Sequence, residues 1–409
     1  MVKKKAAWWS GFVGGVAVTA AAACGLHYYQ YGTLPFAGDS LVTGSSARKT
    51  AAIEKIINEQ YLEETDEETL ADGMYAGMLA SLEDPYSGYF SAENYRKLKE
   101  SMEGKYTGIG LVMQQNKESG EISVVQCYKG SPAWEAGIQA GDIICTVNGQ
   151  SVEELDVTEL SKTIRSDESG EIQLSLKREN EIVQVTVRIE EVEIPVVSSR
   201  MLENSVGYIR IQEFTDGTSG QFAEALQELQ SQEMKGLIFD LRENPGGLLD
   251  AVCDTLEQIL PEGLIVYTED KNGKRIEYKC KGENPLEIPA VVLVNENSAS
   301  AAEIFAGAVK DHNVAKLVGT TTFGKGIVQK TFPLSDGSAV KVTTSKYYTP
   351  SGVNIHGTGI TPDVEVELKD AQKEEFYMDE LEELPLEEWI QRDAQMEKAW
   401  KVIETQVAE

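Results

Sequence analysis

The spacing of apolar positions changes character several times along the chain. Ile53, Ile56, Ile57 and Tyr61 recur at helical spacing, as do Leu70, Met74 and Met78, which predicts a small helical segment within 48–103. Its apolar stripe is a packing surface, open equally to the rest of the chain or to a second copy. From Gly104 the period falls to two. EISVVQCY, GDIICTVNG, EIQLSLKR and EIVQVTVRI alternate in strand fashion between Gly and Asn-Gly turns, predicting a β-rich module over 104–190. Beyond that, apolar runs such as GLIFDLR and IPAVVLVNE alternate with the amphipathic stretches LLDAVCDTLEQIL and EIFAGAVKDH. That pattern predicts a parallel sheet covered on both faces over 191–369. Functional sites in such sheets lie beyond the C-terminal ends of the strands, where the Pro-Gly-Gly turn at 245–247 and the stretch VNENSASAAE (294–303) both fall. Residues 370–409 carry 13 acidic and 4 basic side chains, with Leu386, Trp389, Ile390, Trp400 and Ile403 at helical spacing. They predict an acidic helical extension, docked on the body or used in dimerisation.

The first residues follow a different rule. Three lysines precede an apolar run and the aromatic exit HYYQYG, which predicts a single-pass membrane anchor at 1–31 with the lysines cytoplasmic and the body extracytoplasmic. Cleavage as a signal peptide, giving a secreted body, is the competing reading. Residues 32–47, rich in Gly, Ser, Thr and Ala, read as a linker.

Composition narrows the functions. In 409 residues, 37 Lys and Arg face 67 Asp and Glu, a net charge of -30 that repels a phosphate backbone and excludes nucleic acid as a partner. The five cysteines, Cys24, Cys127, Cys145, Cys253 and Cys280, are scattered and form no C-x-x-C pair. With only His27, His312 and His356 besides, no metal centre is indicated, and the chemistry calls for no cofactor.

A serine that opens a helix after a buried strand stands beside unpaired N–H groups, which suits a nucleophile and suits a helix cap equally. A nucleophile also needs a base. His27 belongs to the membrane flank, and His312 closes the helix that the serine opens, roughly 15–20 Å away at 1.5 Å per residue. His356, in NIHGTGITPD, is the remaining imidazole. Lys325, between two glycines and beside Phe323 and Ile327, is the alternative, provided that burial strips its charge. If the run is extended, Gln329 shares a face with Lys325 and Ile327 and can hold the amine toward the serine.

Two resemblances sharpen these alternatives. GIGL (108–111) followed by GSPAWEAGIQAGDIICTVNGQSV resembles a PDZ domain, which implies that Gly108, Ile109, Gly110 and Leu111 hold the free C-terminus of a protein or peptide through backbone N–H groups. DLRENPGGLL, VNENSASAAEIFAGAV, FGKGIVQ and GITPDV, in that order after the PDZ module, resemble the C-terminal processing peptidases, the tail-specific serine proteases. The resemblance implies an α/β multidomain chain, with the PDZ domain inserted before a crotonase/ClpP-like peptidase core and helical segments at both ends. It also implies an endopeptidase acting near C-termini. Its nucleophile falls on Ser300, its general base on Lys325 and its orienting amide on Gln329, with Ser298 in support. Its oxyanion hole falls on the N–H of Ala301 and of Gly246 or Gly247. The PDZ domain gates the site, Arg165 couples it to the protease body, and relatives suggest a homodimer through the helical segments. Two positions depart from the pattern: Ala302 replaces a small hydroxyl residue, and Glu243 stands where glycine is frequent. Two rivals remain, a membrane-tethered PDZ scaffold with an inactive peptidase body and a hydrolase based on His356.

Overall fold

The computed structural model describes residues 44–167, 169–369 and 384–408, and the chain divides into two compact units between Gly77 and Met78. The segment expected to anchor at 1–31 lies outside the described residues, as does most of the 32–47 linker. Among the described residues no helix is long and apolar enough to cross a membrane. The first unit holds α1 (Gly44–Gln60) and most of α2 (Glu67–Ala80). Neither helix buries a side chain. The apolar stripe instead lines a groove of about 390 Å³, with Ile53, Ile57, Leu70 and Met74 on its walls.

The second unit begins with β1 (Gly88–Phe90) and α3 (Ala92–Glu103), whose end is closed by Gly104 at φ 65°. A short ribbon then leads to the β-rich module. Its outgoing strand β2 (Lys105–Gly108) pairs antiparallel with the returning strand, Glu190–Glu193. Between them lie β3 (Leu111–Gln115), β4 (Ile122–Cys127), the turn of helix α4 (Pro132–Glu135), β5 (Ile143–Val147), β6 (Gln150–Ser151), α5 (Val157–Arg165), β7 (Glu171–Arg178) and β8 (Glu181–Arg188). The sheet order is β3-β4-β5-β7-β8, with β6 beside β5, so β3 is an edge. Alternation puts Ile172, Leu174 and Leu176 of β7 into a core with Ile122, Ile144 and Leu160. The Asp156 carboxylate and Glu159 form a reciprocal capping box that fixes where α5 starts.

The returning strand, β9 (Glu190–Glu193), leads into the larger body: β10 (Val197–Met201), β11 (Val206–Ile211), α6 (Thr218–Ser231), β12 (Gly236–Asp240), α7 (Leu249–Leu256), β13 (Gly263–Asp270), β14 (Arg275–Cys280), β15 (Ala290–Val294), α8 (Ala301–Asp311), β16 (Lys316–Gly319), β17 (Ile327–Pro333), β18 (Ala339–Tyr348) and β19 (Val364–Glu365). One sheet runs β10-β11-β12-β15-β16-β19, parallel from β11 onward. Every residue of β12 and β15 is buried, as a sheet covered on both faces requires. Leu237, Phe239, Val292 and Val294 point into the core shared with α6, α7 and α8, while Ile238, Val291 and Leu293 face the other way. That second face is closed by α9 (Leu386–Arg392) and α10 (Ala394–Ala408), through Trp389, Met396 and Ile403. A separate antiparallel sheet joins β1, β18, β13 and β14, with β17 on β18.

The C-terminal pair is fastened by charge as well as packing. Arg242, buried at the end of β12, reaches Asp240 at 2.5 Å and Asp393, between α9 and α10, at 2.7 Å. The Tyr208 hydroxyl donates to Asp240 at 3.0 Å, and Trp389 meets the Tyr208 ring edge-on at 5.0 Å. Burial alone would raise the Asp240 carboxyl, but the adjoining Arg242 guanidinium outweighs it and holds Asp240 below its ordinary range. Asp393→Ala leaves a buried guanidinium short of one partner. The expected loss is about 3–5 kcal/mol of unfolding free energy, read from the urea midpoint at constant m-value.

Candidate active site

β15 ends in a turn from which α8 starts, and Ser300 is the residue at the junction. Its backbone is held at φ 54°, ψ -111°, a conformation that non-glycine residues avoid and that persists only where neighbours enforce it. The enforcing group is Glu303, fully buried one turn into α8. Its Oε2 accepts the N–H of Ser300 at 2.9 Å and of Lys325 at 2.8 Å, and its Oε1 accepts Gly324 N–H at 2.7 Å and the Thr322 hydroxyl at 2.6 Å. The Tyr347 hydroxyl donates to the Ser300 carbonyl at 3.1 Å. Glu303 caps the helix entrance with its carboxylate, which accepts the Ser300 N–H. Ser298, by contrast, is a turn residue: fully buried, it donates to the Leu241 carbonyl at 2.8 Å and accepts Asn295 N–H at 2.9 Å.

The Pro-Gly-Gly turn lies directly against this junction. A Cβ on Gly246 would come within 2.8 Å of both the Ser300 Cβ and the Ala301 nitrogen, and one on Gly247 within 2.1 Å of the Phe214 carbonyl oxygen. Glycine is obligatory at both. Gly246 donates its N–H to Asn244 Oδ1 at 2.8 Å, which removes it from the two donors expected for an oxyanion. The N–H groups of Gly247 and Ala301 make no hydrogen bond among the described residues. Glu243 adopts φ 61° and accepts from the side-chain amides of Asn295 at 2.6 Å and Asn297 at 2.9 Å. A residue in a glycine-like conformation thus clasps the glycine turn to the serine turn.

Ser300 and Lys325 line one cleft of about 260 Å³, together with Gly247, Gln329, Glu213 and Lys341. The Lys325 Nζ lies 4.9 Å from the Tyr86 ring centre, and among the described residues it has neither an ion pair nor a hydrogen bond. Burial pushes Lys325 below its ordinary value of 10.5, and Lys341 pushes it further, against opposing pulls from Glu303 and Asp84. Burial pushes the Glu213 carboxyl up.

The extended run expected from Lys325 to Gln329 is interrupted. β17 begins only at Ile327, and its register shifts between Val328 and Gln329. The Gln329 amide donates to Thr343 Oγ1 at 3.4 Å and not to the lysine, although it lines the same cleft. His356 is exposed in a turn and does not line the cleft. His312 bonds the Leu264 carbonyl at 2.8 Å. In the β-rich module, Ile109 is buried and Gly110 takes φ 80° against the Ser131 side chain. Arg165 lies 4.6 Å over the Tyr106 ring and 3.5 Å from Glu100 of α3.

Tyr347 and Lys341 in the cleft, and the buried Glu303 and Asn244 braces behind it, are groups whose roles sequence reasoning passed over. Only Glu303 had a readable signal, because Ser300-x-x-Glu303 is a capping-box spacing.

A strained serine at a helix mouth, two open N–H groups and a half-buried lysine in one cleft are the kinds of group that serine-type peptidase chemistry uses. The comparisons agree. Residues 205–366 match peptidase family S41, residues 123–178 a PDZ domain, and residues 37–94 the N-terminal domain of the activating protease CtpB. The chain is 37% identical over 351 residues to the carboxy-terminal processing protease CtpA of Bacillus subtilis, covering 83% of this chain and 75% of that protein. It is also 37% identical to a probable CtpA-like serine protease of Staphylococcus aureus, over 79% of this chain and 65% of the relative. Among solved structures, a photosystem II D1 C-terminal processing protease aligns at 29% identity and TM-score 0.47, over 80% of this chain and 94% of that one. The chain belongs to peptidase family S41, as a C-terminal processing peptidase with a PDZ domain.

Gly246→Ala forces a Cβ into the Ser300 junction. It is expected to lower kcat by about 10²-fold or more, while peptide binding to the PDZ domain, read by fluorescence anisotropy, stays unchanged.

Proposed function

We propose that this chain is an endopeptidase working through a Ser300–Lys325 dyad, on protein tails presented by its PDZ domain. The observation that carries the reading is the Lys325 amine, half-buried without a counter-ion in the cleft that Ser300 opens into. The neutral amine removes the Ser300 proton as the oxygen attacks the scissile carbonyl. The tetrahedral oxyanion forms between the Ala301 and Gly247 N–H groups, and Lys325 returns the proton to the leaving amine. Water, deprotonated by the same amine, then releases the acyl group and restores the serine. Gln329 lines the cleft beside the lysine and orients it once substrate enters.

The edge of β3 supports tail presentation. Leu111 pairs with Cys127, and the Tyr128 N–H reaches the Gly110 carbonyl, so the Leu111 N–H turns to the unpaired edge where an incoming C-terminal strand adds. Arg165, on α5 beside that edge and 3.5 Å from Glu100, couples occupancy to the protease body. The open groove on α1 and α2 is the surface for a second copy. A membrane anchor at 1–31, with the catalytic body extracytoplasmic, rests on the sequence pattern alone.

Three experiments test the reading on purified protein with an unstructured substrate. Ser300→Ala and Lys325→Ala should each abolish cleavage and His356→Ala should leave it intact; cleavage surviving Lys325→Ala would remove the dyad. In the wild type, kcat/KM should rise with pH, because the fraction of free base grows as pH climbs through the lowered Lys325 value. Arg165→Ala should reduce stimulation by peptides with a free C-terminus, relative to their amidated forms, more than it reduces basal cleavage. Equal loss of both would end the coupling role.

A further inference from the structure

The second lysine of the cleft is not absorbed by this mechanism. Lys341 sits on β18 opposite Thr331 of β17, and two residues on, Thr343 stands opposite Gln329 and bonds its amide. Side chains two apart on a strand share a face. The Gln329–Thr343 bond therefore identifies that face, and Lys341, Thr331 and Gln329 all line the cleft that holds Ser300 and Lys325. The Lys341 Nζ rests 5.0 Å from the Phe90 ring centre, just as the Lys325 Nζ rests 4.9 Å from Tyr86. Among the described residues neither lysine has an ion pair or a hydrogen bond.

The groups facing the Lys325 amine come from several elements. Lys341 and Tyr347 come from β18, Glu303 from α8, Asp84 and Tyr86 from the segment before β1, and Glu213 from the loop after β11. The Glu303 carboxylate is committed to four donors, and Asp84 accepts from Ser87 and the Tyr86 N–H. Glu213 is half-buried at the cleft wall, and burial pushes its carboxyl up. The cation of Lys341 is thus left without a partner of its own to cancel its field.

We propose that the Lys341 ammonium, held on the cleft face of the β17–β18 hairpin, opposes a second positive charge on Lys325 and so sets the pH at which the peptidase turns on. Lys341 is a positioning residue acting through Lys325, and its role rests on the Ser300–Lys325 reading. The sign follows from like charge. Removing the Lys341 cation lets Lys325 keep its proton to higher pH, which withholds the base at neutrality and restores it in alkali.

The test is the pH profile of kcat/KM on unfolded β-casein for wild type, Lys341→Met and Lys341→Arg, with thermal melts to certify folding. Lys341→Met should displace the rising limb to higher pH, losing about fivefold at pH 7 and nothing on the alkaline plateau, as expected for one unit charge at cleft distances. Lys341→Arg, which keeps the charge, should follow the wild type. A loss that is equal at every pH, or an undisplaced limb, overturns the proposal. A readout independent of turnover separates the two claims: the NMR titration of ¹³C-methylated Lys325 in Ser300→Ala protein, assigned by its disappearance in Lys325→Ala. An NMR midpoint that Lys341→Met leaves in place overturns the proposal alone. A midpoint that moves while the activity limb stays removes the dyad reading and the proposal with it.

Discussion

One buried carboxylate holds the catalytic half of the molecule in register. Glu303 is wholly removed from water, a position that is costly for any charge left short of donors. It is supplied with four, and they come from different parts of the chain: Ser300 beside its own helix, and Thr322, Gly324 and Lys325 from the loop after β16. The Thr322 hydroxyl also accepts the Ile360 N–H at 2.7 Å, tying in the segment before β19. The geometry between the serine backbone and the lysine backbone is therefore fixed by charge-assisted hydrogen bonds rather than by side-chain fit alone. The strained φ of Ser300 follows, since a junction pinned on both sides keeps a conformation that a free turn would relax.

A second brace joins the glycine turn to the serine turn. Glu243 grips Asn295 and Asn297, Asn244 takes Gly246 N–H, and the Asn244 carbonyl receives Ala299 N–H. The glycine turn and the serine turn thus move together or not at all. Behind the glycine turn, Arg242 is buried between Asp240 and Asp393, so the end of β12 is anchored from the far face of the sheet. The net charge of -30 and the uncharged lysine that the proposed dyad requires are compatible because the surface carboxylates act through water. Salt screens such charges beyond about 8–10 Å, whereas the cleft's own cation acts at short range.

The sequence disclosed the architecture unevenly, for physical reasons. Period two over EIQLSLKR and the buried runs GLIFD and AVVLV were legible because burial imposes residue type locally. Ser300 and Lys325 were legible through motif spacing, and the cleft brings both together. The clean alternation expected from Lys325 to Gln329 failed because a register shift inside β17 depends on its pairing with β18, which no local pattern encodes. Gly246 and Gly247 were indistinguishable as letters. Only the Asn244 side chain, folded back onto one of them, separates a committed N–H from an open one. Lys341 was invisible because its relation to Lys325 is made across a hairpin and not along the chain.

The β-rich module is tied to the body in a way that suits the proposed gating. Its two covalent connections run side by side as the β2–β9 ribbon, four residues a strand, so the module can tilt about one axis without tearing its own core. Tyr106 lies on that ribbon, packed over Gly108 at the start of the proposed peptide-binding loop and under the Arg165 guanidinium. Arg165 in turn stands 3.5 Å from Glu100, on the helix that leads into the ribbon. An exposed ion pair of this kind contributes less than about 1 kcal/mol, small enough for a bound tail to break. In the proposed gating, a tail arriving at the β3 edge meets this weak latch beside the ribbon that joins the module to the body.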